Sequence, residues 1–137
     1  MKDGKKVVAV FDFDGTLTEK DTFIAFIRYS FGDMRFLFGM MLFAPLFALM
    51  KLHLYPNWKC KQAVFAYLFK GMSHKEFIRM GTDFAKEIER FTKKETISKL
   101  IQHRSEGASV YVISASVDEW VRPFCTFLGI KDVLATR

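Results

Sequence analysis

Two aspartates separated by a single residue, Asp12 and Asp14, are the side chains best suited to chemistry. Side chains alternate between the two faces of an extended chain, so both carboxylates should point the same way while Phe13 points into the core. Gly15 then allows a tight turn, and Thr16 offers a hydroxyl group. Two carboxylates this close repel each other unless a cation or a shared proton compensates them. Because Mg²⁺ prefers oxygen ligands, the pair predicts a magnesium site.

A pair of carboxylates of this kind is suited to phosphoryl transfer. One carboxylate can attack phosphorus, and the other can protonate the leaving oxygen and later take a proton from the attacking water. The metal ion would screen the repulsion between the anionic nucleophile and the anionic phosphate. A calcium-binding loop is excluded, because its fifth and twelfth positions are Thr16 and Phe23. The remaining alternative is a pair of solvated acids at the end of a strand.

Hydrophobic patterning indicates the elements that must position these acids. Val7–Phe11 is a short β-branched run, typical of a buried parallel strand, and the two acids follow at its carboxyl end, where open α/β sheets bind ligands. Ala108–Ile113 and Asp132–Ala135 predict two further strands, and Asp21–Arg104 is almost entirely helical in pattern. Strands separated by helices favour an α/β fold. We therefore predict a Rossmann-like parallel sheet core, incomplete, formed by residues 1–20 and 105–137, with an inserted α-helical cap at residues 21–104.

Polar residues at the predicted helix starts indicate where the helices begin. Asp21 should cap a helix that runs to about Phe31 and stops at Gly32. Three capping boxes are predicted: Ser73 with Glu76, Thr92 with Glu95, and Ser116 with Glu119. The two tryptophans, Trp58 and Trp120, are expected to anchor helices in the core.

The run Asp12–Thr18 resembles the first signature of the haloacid dehalogenase-like superfamily, and Ile113–Ser116 resembles its second. Their order, with a helical block between them, is similar to that of the phosphoserine-phosphatase-like branch. The resemblance implies that Asp12 is the nucleophile and a metal ligand. It implies that Asp14 is the acid–base residue and binds Mg²⁺ through its backbone carbonyl. It also implies a set of phosphate-binding positions, namely Ser114, Ala115, Gly15 and Thr16. Helix capping is the alternative role for Ser114 and the favoured role for Ser116.

Two further signatures of the family, a lysine and an acidic pair after later strands, have no counterpart before Arg137. We therefore expect the front part of a longer enzyme, with weak Mg²⁺ binding and slow turnover by these residues alone. The missing strands should leave an exposed sheet edge that invites self-association. The competing hypothesis is a catalytically incomplete fragment that acts as a membrane-surface or partner-binding module.

The substrate is less constrained by the sequence than the reaction. Phe36–Met50 carries no charge and lies between Arg35 and Lys51, but a membrane span needs about 20 apolar residues. An ordinary cap helix and a membrane-surface helix therefore both stay open, and a span is disfavoured. The Phe- and Met-rich cap suits a lipid phosphate such as phosphatidylglycerophosphate, the substrate of similar members of the family, and a small phosphorylated metabolite is the other candidate. Asp21 lies near the acid that recognises substrate in the resembling phosphatases, although helix capping is the favoured explanation.

The overall composition narrows the partners and the location. The net charge is +6 and the pI is about 9.4, which favours anionic partners. No basic run marks a nucleic-acid face, so no nucleic-acid partner is expected. Cys60 and Cys125 are far apart in apolar contexts and are expected to be reduced core thiols. The apolar run near the N-terminus is too short for a signal peptide, which favours a cytoplasmic location, with membrane association left open.

Overall fold

A three-stranded parallel sheet with six α-helices forms the described part of the protein, residues 4–137 of the computed structural model. The strands β1, β2 and β3 are Val8–Asp12, Ser109–Val117 and Asp132–Thr136, and they are adjacent in that order. The helices α1 to α6 are Thr22–Leu42, Ala44–Lys51, Asn57–Leu68, His74–Ile88, Lys94–Ser105 and Asp118–Phe127. The predicted α/β class is confirmed. Residues 1–3 lie outside the described residues. They are the first residues of the predicted core and of the N-terminal stretch whose apolar run is too short for a signal peptide.

The two faces of the sheet have very different surroundings. On one face Val112 is fully buried and its neighbour Val133 is 7% exposed. On the other face Val10 is 58% exposed and Leu134 is 64% exposed. Parallel sheets are usually covered on both faces, so residues 4–137 leave one apolar face without a covering layer. Strand β1 is also an edge of the sheet, and self-association through it stays a prediction.

The inner cap, which we define as residues 21–31 and 60–91, shares one hydrophobic core with the covered face of the sheet. Phe26 lies at its centre, with its ring centroid 4.5 Å from Trp120 and 5.4 Å from Phe69. The backbones of α4 and α6 lie close together at Gly81. A Cβ atom at this position would lie only 2.7 Å from the carbonyl oxygen of Glu119. The inner cap is therefore packed into the sheet-bearing unit.

The outer lobe, which we define as residues 33–59, packs more loosely: Phe36, Phe43 and Phe47 are half-buried against the shared core, and within the lobe only Gly39 is fully buried. It begins after Gly32, whose φ of 78° and ψ of 170° interrupt α1 close to the predicted stop, although the helix resumes beyond it. Helix α2 has no buried residue, and Trp58 is 63% exposed, so the prediction that Trp58 anchors the core is wrong. Among the described helices none is long and apolar enough alone to cross a membrane, whereas α1 and α2 pass that test together across a bend of 63°.

The chain enters and leaves the cap side by side. Thr18 and Thr92 form an isolated antiparallel bridge. The amide of Glu19 donates to the carbonyl oxygen of Phe91 at 2.8 Å, and the amide of Lys93 donates to that of Leu17 at 2.9 Å. These bonds hold the two ends of the inserted segment together.

Two predicted helix starts in the cap are confirmed and one is wrong. Asp21 accepts from the amides of the first turn of α1, and Ser73 with Glu76 forms a complete capping box at α4. The predicted box at Thr92 is absent, since α5 begins after Lys93 without a side-chain cap. Thr92 instead donates its hydroxyl to the carbonyl oxygen of Glu89 at 3.1 Å, because its backbone is held in the bridge to Thr18.

Both cysteines are buried and free, which confirms the expected core thiols. Burial raises the pKa of the Cys125 thiol to about 12, and it also raises the pKa of Cys60. Cys125 lies in α6 within the shared core, whereas Cys60 lies at the boundary between the outer lobe and the inner cap.

Candidate active site

The acidic motif lies at the carboxyl end of β1, next to the corresponding part of β2. Asp12 is opposite Ile113 in the parallel register, so the residues that follow each strand meet at the same edge of the sheet. Phe13 is fully buried, and its ring packs edge-on against Phe124 with centroids 5.6 Å apart. The predicted inward orientation of Phe13 is therefore confirmed, and this ring anchors the loop that carries both acids.

A tight turn after Phe13 shapes the rest of the motif. The carbonyl oxygen of Phe13 accepts from the amides of Thr16, Leu17 and Thr18 at 3.2, 3.0 and 3.2 Å. Gly15 has a φ of 75°, a conformation that side chains disfavour, so glycine suits this position. The ammonium group of Lys93 donates to the carbonyl oxygen of Gly15 at 2.7 Å. The end of the cap segment is thus attached to the turn.

Asp12 presents an exposed carboxylate at this edge. Its Oδ1 accepts from the amide of Phe13 at 2.8 Å, and within residues 4–137 that is the one hydrogen bond to this carboxylate. One oxygen is therefore held by the backbone, and the other has free lone pairs. A carboxylate in this state is suited to nucleophilic attack or to metal binding.

Asp14 has the opposite environment, because both its oxygens accept hydrogen bonds from buried groups. The amide and the hydroxyl of Thr22 donate to Oδ1 at 2.7 and 2.5 Å, and the hydroxyl of Ser116 donates to Oδ2. The indole of Trp120 donates to the Thr22 hydroxyl at 3.0 Å, which fixes that group in turn. Asp14 therefore joins α1 of the cap to β2 and, through Trp120, to α6.

A bulge in β2 brings the second motif into this cluster. Between Ile113 and Val117 strand β2 advances four residues while its partner β3 advances two. Such bulges redirect side chains at functional edges. The Ser114 Oγ accepts from the amide of Ser116 at 3.0 Å, which leaves the Ser114 hydroxyl hydrogen available, and Ala115 accepts from the hydroxyl of Thr136 at 2.8 Å.

The predicted capping role of Ser116 is wrong. Helix α6 begins at Asp118 with Val117 at its N-cap and has no side-chain cap. Strand β2 continues through the position of Ser116, so this residue is 6% exposed and its hydroxyl reaches Asp14 instead of a helix amide. The physical reason is that backbone pairing with β3 extends the strand beyond the predicted end at Ile113.

Asp21 has three partners outside the acidic cluster. Its carboxylate accepts from the amides of Phe23 and Ile24 at 2.9 and 3.3 Å and forms an ion pair with Lys61 at 3.2 Å. It lines an open groove of about 470 Å³ between α1 and the end of α4, together with Arg28 and Arg90. The capping role of Asp21 is confirmed, and its substrate-binding role stays a prediction.

The donor set suits a hard cation only in part. The Asp12 carboxylate and the Asp14 carbonyl oxygen implied by the family resemblance are oxygen ligands of the type that Mg²⁺ prefers. Within residues 4–137 no group of three or more His, Cys, Asp or Glu side chains could hold a metal ion. The motif therefore fits Mg²⁺ as a partial set of ligands, and it needs further oxygen donors.

Several residues of the cluster were not identified as site residues from the sequence. Thr22 follows the helix-capping Asp21, and a hydroxyl residue at the start of a cap helix was its one available signal. Trp120 was expected in the core, and its indole N–H gave no sign of its partner. Lys93 belongs to a charged run that has the pattern of a solvated helix start, yet it reaches Gly15.

The family follows from comparison with known proteins. The model of the haloacid dehalogenase-like hydrolases matches residues 9–137, which is nearly the whole chain. The chain therefore belongs to the haloacid dehalogenase-like hydrolase family. Protein CicA of Caulobacter vibrioides is 31% identical over 133 residues, which cover 96% of this chain and 59% of that protein.

Solved structures share the fold at low sequence identity. A Bordetella pertussis protein of unknown function superposes with a TM-score of 0.77 at 15% identity, covering 96% of this chain and 60% of that one. A phosphoserine phosphohydrolase-like protein of Francisella tularensis superposes with a TM-score of 0.65 at 16% identity, covering 96% of this chain and 58% of that one. A phospho-aspartyl intermediate analogue of phosphoserine phosphatase superposes with a TM-score of 0.62 at 19% identity, covering 96% of this chain and 56% of that one. The chain thus spans less than two thirds of the length of these relatives.

Proposed function

We propose that the full-length protein hydrolyses phosphomonoesters through an aspartyl-phosphate intermediate. Membership of a hydrolase family supports this proposal. The observation that carries it is the contrast between the two acids: Asp12 is exposed with one oxygen free, and Asp14 is held by Thr22 and Ser116. One acid is thereby suited to attack, and the other to controlled proton transfer.

The reaction has two displacement steps at phosphorus. In the first, a carboxylate oxygen of Asp12 forms a bond to phosphorus, the bond to the leaving oxygen breaks, and Asp14 supplies the proton that this oxygen needs. In the second, Asp14 takes a proton from water as the water oxygen bonds to phosphorus. The bond between Asp12 and phosphorus then breaks, so inorganic phosphate leaves and both acids return to their starting states.

The hydroxyl partners of Asp14 suit a group that gains and loses a proton. A hydroxyl group can either donate or accept a hydrogen bond, so Thr22 and Ser116 can each reverse their bond when Asp14 is protonated. The indole of Trp120 only donates, which keeps the Thr22 oxygen in place in both states. We therefore assign Thr22, Ser116 and Trp120 as positioning residues for Asp14.

Phosphate and metal binding are assigned to the same edge of the sheet. Ser114 and Ala115 in the bulge, with Gly15 and Thr16 in the turn, would surround the phosphoryl group. When bound by the Asp12 carboxylate and the Asp14 carbonyl oxygen, Mg²⁺ would reduce the electrostatic repulsion between the anionic nucleophile and the anionic phosphate. The substrate proposal keeps two classes, a small phosphorylated metabolite and a lipid phosphate such as phosphatidylglycerophosphate.

The test is phosphate release by the full-length protein with Mg²⁺ from a panel that includes both substrate classes. Asp12→Asn should lower kcat by roughly 10³-fold or more, because the amide is a poor nucleophile. Asp132→Asn, which changes an exposed acid at the start of β3, is the matched control and should leave kcat unchanged. Acid quenching should trap a phosphorylated protein that hydroxylamine cleaves. Turnover that survives Asp12→Asn would overturn the proposal.

A second candidate is a catalytically incomplete module that binds a membrane surface or another partner. The exposed apolar side chains of the outer lobe, such as Trp58 at 63% exposed, are the observation that favours it. The same panel separates the two candidates. A full-length protein that is folded, releases no phosphate from any ester and forms no hydroxylamine-sensitive adduct would support this second candidate and overturn the first.

A further inference from the structure

The outer lobe exposes apolar side chains on a scale that folding alone does not explain. Six of its large apolar residues are at least 63% exposed: Met34, Phe38, Met41, Leu52, Leu54 and Trp58. An ordinary surface helix buries one apolar stripe against the protein. Helix α2 half-buries Phe47 against the core but fully buries none of its eight residues, and α1 beyond Gly32 fully buries only Gly39. Clustered exposure of this kind marks an interaction surface.

The charge of the lobe and of the residues that follow it is predominantly positive. From Met34 to Lys75 the sequence contains no Asp or Glu and six Lys or Arg residues, a net charge of +6. The rest of the chain carries fifteen basic and fifteen acidic residues, so the whole net charge of +6 comes from this stretch. Arg35, Lys51 and Lys59 lie within the lobe and are exposed. Against these three bases the lobe has one acid, Asp33, so the lobe itself has a net charge of +2.

We propose that the outer lobe docks on the surface of a bilayer that contains anionic phospholipids, with its helices lying in the interface. Aromatic and aliphatic side chains next to basic residues are the composition of interfacial helices. The geometry favours lying over crossing, because the eight residues of α2 extend about 12 Å, well short of the hydrocarbon core of roughly 30 Å. The bend of 63° between α1 and α2 spreads both helices along one surface.

Charge distinguishes this occupant from the others. A second copy of the lobe would bring two surfaces of net positive charge together, which is unfavourable. An anionic membrane meets both requirements, since its headgroups attract the basic residues and its hydrocarbon receives the apolar ones. A protein partner would need an acidic rim around an apolar groove.

Docking would bring the candidate active site close to lipid headgroups, and this step rests on the proposed function. Helix α1 begins at Thr22, which contacts Asp14, and after the interruption at Gly32 it resumes and ends at Leu42 in the lobe. A lobe fixed in the interface would therefore hold the acidic cluster near the membrane surface. Of the two substrate classes, docking favours the lipid phosphate.

The test of docking is vesicle binding by the full-length protein, which does not depend on activity. Vesicles of phosphatidylcholine with phosphatidylglycerol should bind the protein at least about tenfold more tightly than phosphatidylcholine alone, and added salt should weaken the binding. Met41→Glu should weaken binding about tenfold or more by placing a charge in the apolar surface. Ile101→Glu, an equally non-conservative change at an exposed position of α5, is the matched control and should bind like the wild type.

Fluorescence gives a second measurement, because the chain has two tryptophans. Trp120 is fully buried, so a blue shift on adding anionic vesicles would come from Trp58. Trp58→Phe should abolish that shift. Lys51→Glu and Lys99→Glu change the net charge of the protein equally, but only Lys51 lies in the outer lobe. Only Lys51→Glu should therefore weaken vesicle binding.

Four results would overturn the docking proposal. These are no vesicle binding by the wild type, equal binding to neutral and anionic vesicles, unchanged binding by Met41→Glu, or dimerisation that Met41→Glu abolishes without any vesicle binding. Circular dichroism spectra and thermal midpoints of each variant verify folding. If vesicle binding holds while the phosphate-release panel is negative, docking stands and the proposed function fails.

Discussion

The inner cap and the outer lobe are both rich in Phe but differ in how completely they bury it, since none of the four Phe residues of the outer lobe is fully buried. Phe26 in the inner cap is fully buried and contacts four aromatic rings, whereas Phe38 in the outer lobe is 63% exposed. Both residues belong to α1, and Gly32 separates them. Aromatic content alone therefore does not identify core residues. What differs is whether another element of the chain lies opposite, and for the inner cap that element is α6.

The strongest test of this difference in packing is a pair of matched Phe-to-Ala substitutions in α1. Phe26→Ala should lower the free energy of unfolding by about 3–5 kcal/mol, because it leaves a cavity between the cap and Trp120. Phe38→Ala should change it by less than about 0.5 kcal/mol, because its side chain has few neighbours to lose. Urea denaturation measures both values. Comparable losses from the two variants would contradict the contrast.

The next largest effect concerns the hydrogen bonds that the inner cap gives to Asp14. If the proposed function holds, Thr22→Val should lower kcat of the full-length protein about 10- to 100-fold with little change in KM, because Asp14 loses a positioned donor. Thr22→Ser keeps the hydroxyl and should restore most of the rate. The acid–base limb of the pH–rate profile should move in the valine variant and stay in place in the serine variant. Equal rates for valine and serine would rule out the positioning role.

Thiol labelling compares the two regions at their cysteines. Cys60 adjoins the loosely packed lobe and Cys125 lies in the shared core, so iodoacetamide should modify Cys60 at least about tenfold faster near pH 8. The folded-state pKa of Cys125, about 12, lies above the usual 9.0, so its contribution to stability is complete below pH 9 and is lost as the pH rises from 9 towards 12. Mass spectrometry of the labelled peptides identifies the site. Faster labelling of Cys125 would contradict the assignment of regions.

The smallest expected effect concerns helix capping. Ser73→Ala should cost about 1 kcal/mol of stability, because it removes the side-chain cap of α4 in the inner cap. Hydrogen bonds from Ser73 lower the pKa of Glu76, so their stabilisation is present above pH 4.5 and is lost as the pH falls below it. The Ser73→Ala variant should therefore lose less stability than the wild type between pH 5 and pH 3. A steeper loss in the variant would contradict this account.

The sequence was sufficient for local features and insufficient for tertiary ones. The acids after β1, the cap at Asp21, the break near Gly32 and the start of β3 at Asp132 depend on short-range patterns, and the structure has them where predicted or within one residue. The end of β2 was placed four residues early, because its extension depends on pairing with β3 across a bulge. Trp58 was misplaced because aromatic type does not reveal whether a partner lies opposite.

The candidate site was half predictable for the same reason. A compact motif supplies both acids, so Asp12 and Asp14 could be chosen from the sequence alone. The groups that hold Asp14 come from residues 8 and 102 positions away, Thr22 and Ser116. Their hydroxyls had plausible local uses, and only the folded chain brings them to one carboxylate.

The bridge between Thr18 and Thr92 makes the whole inserted segment equivalent to a hairpin turn as far as the sheet is concerned. Seventy-three residues leave and return between two hydrogen-bonded backbones, so a change in their number alone need not move the two ends apart. Segments of other lengths could be grafted onto the same two attachment points, provided that they carry a ring to cover Trp120 and a donor for Asp14.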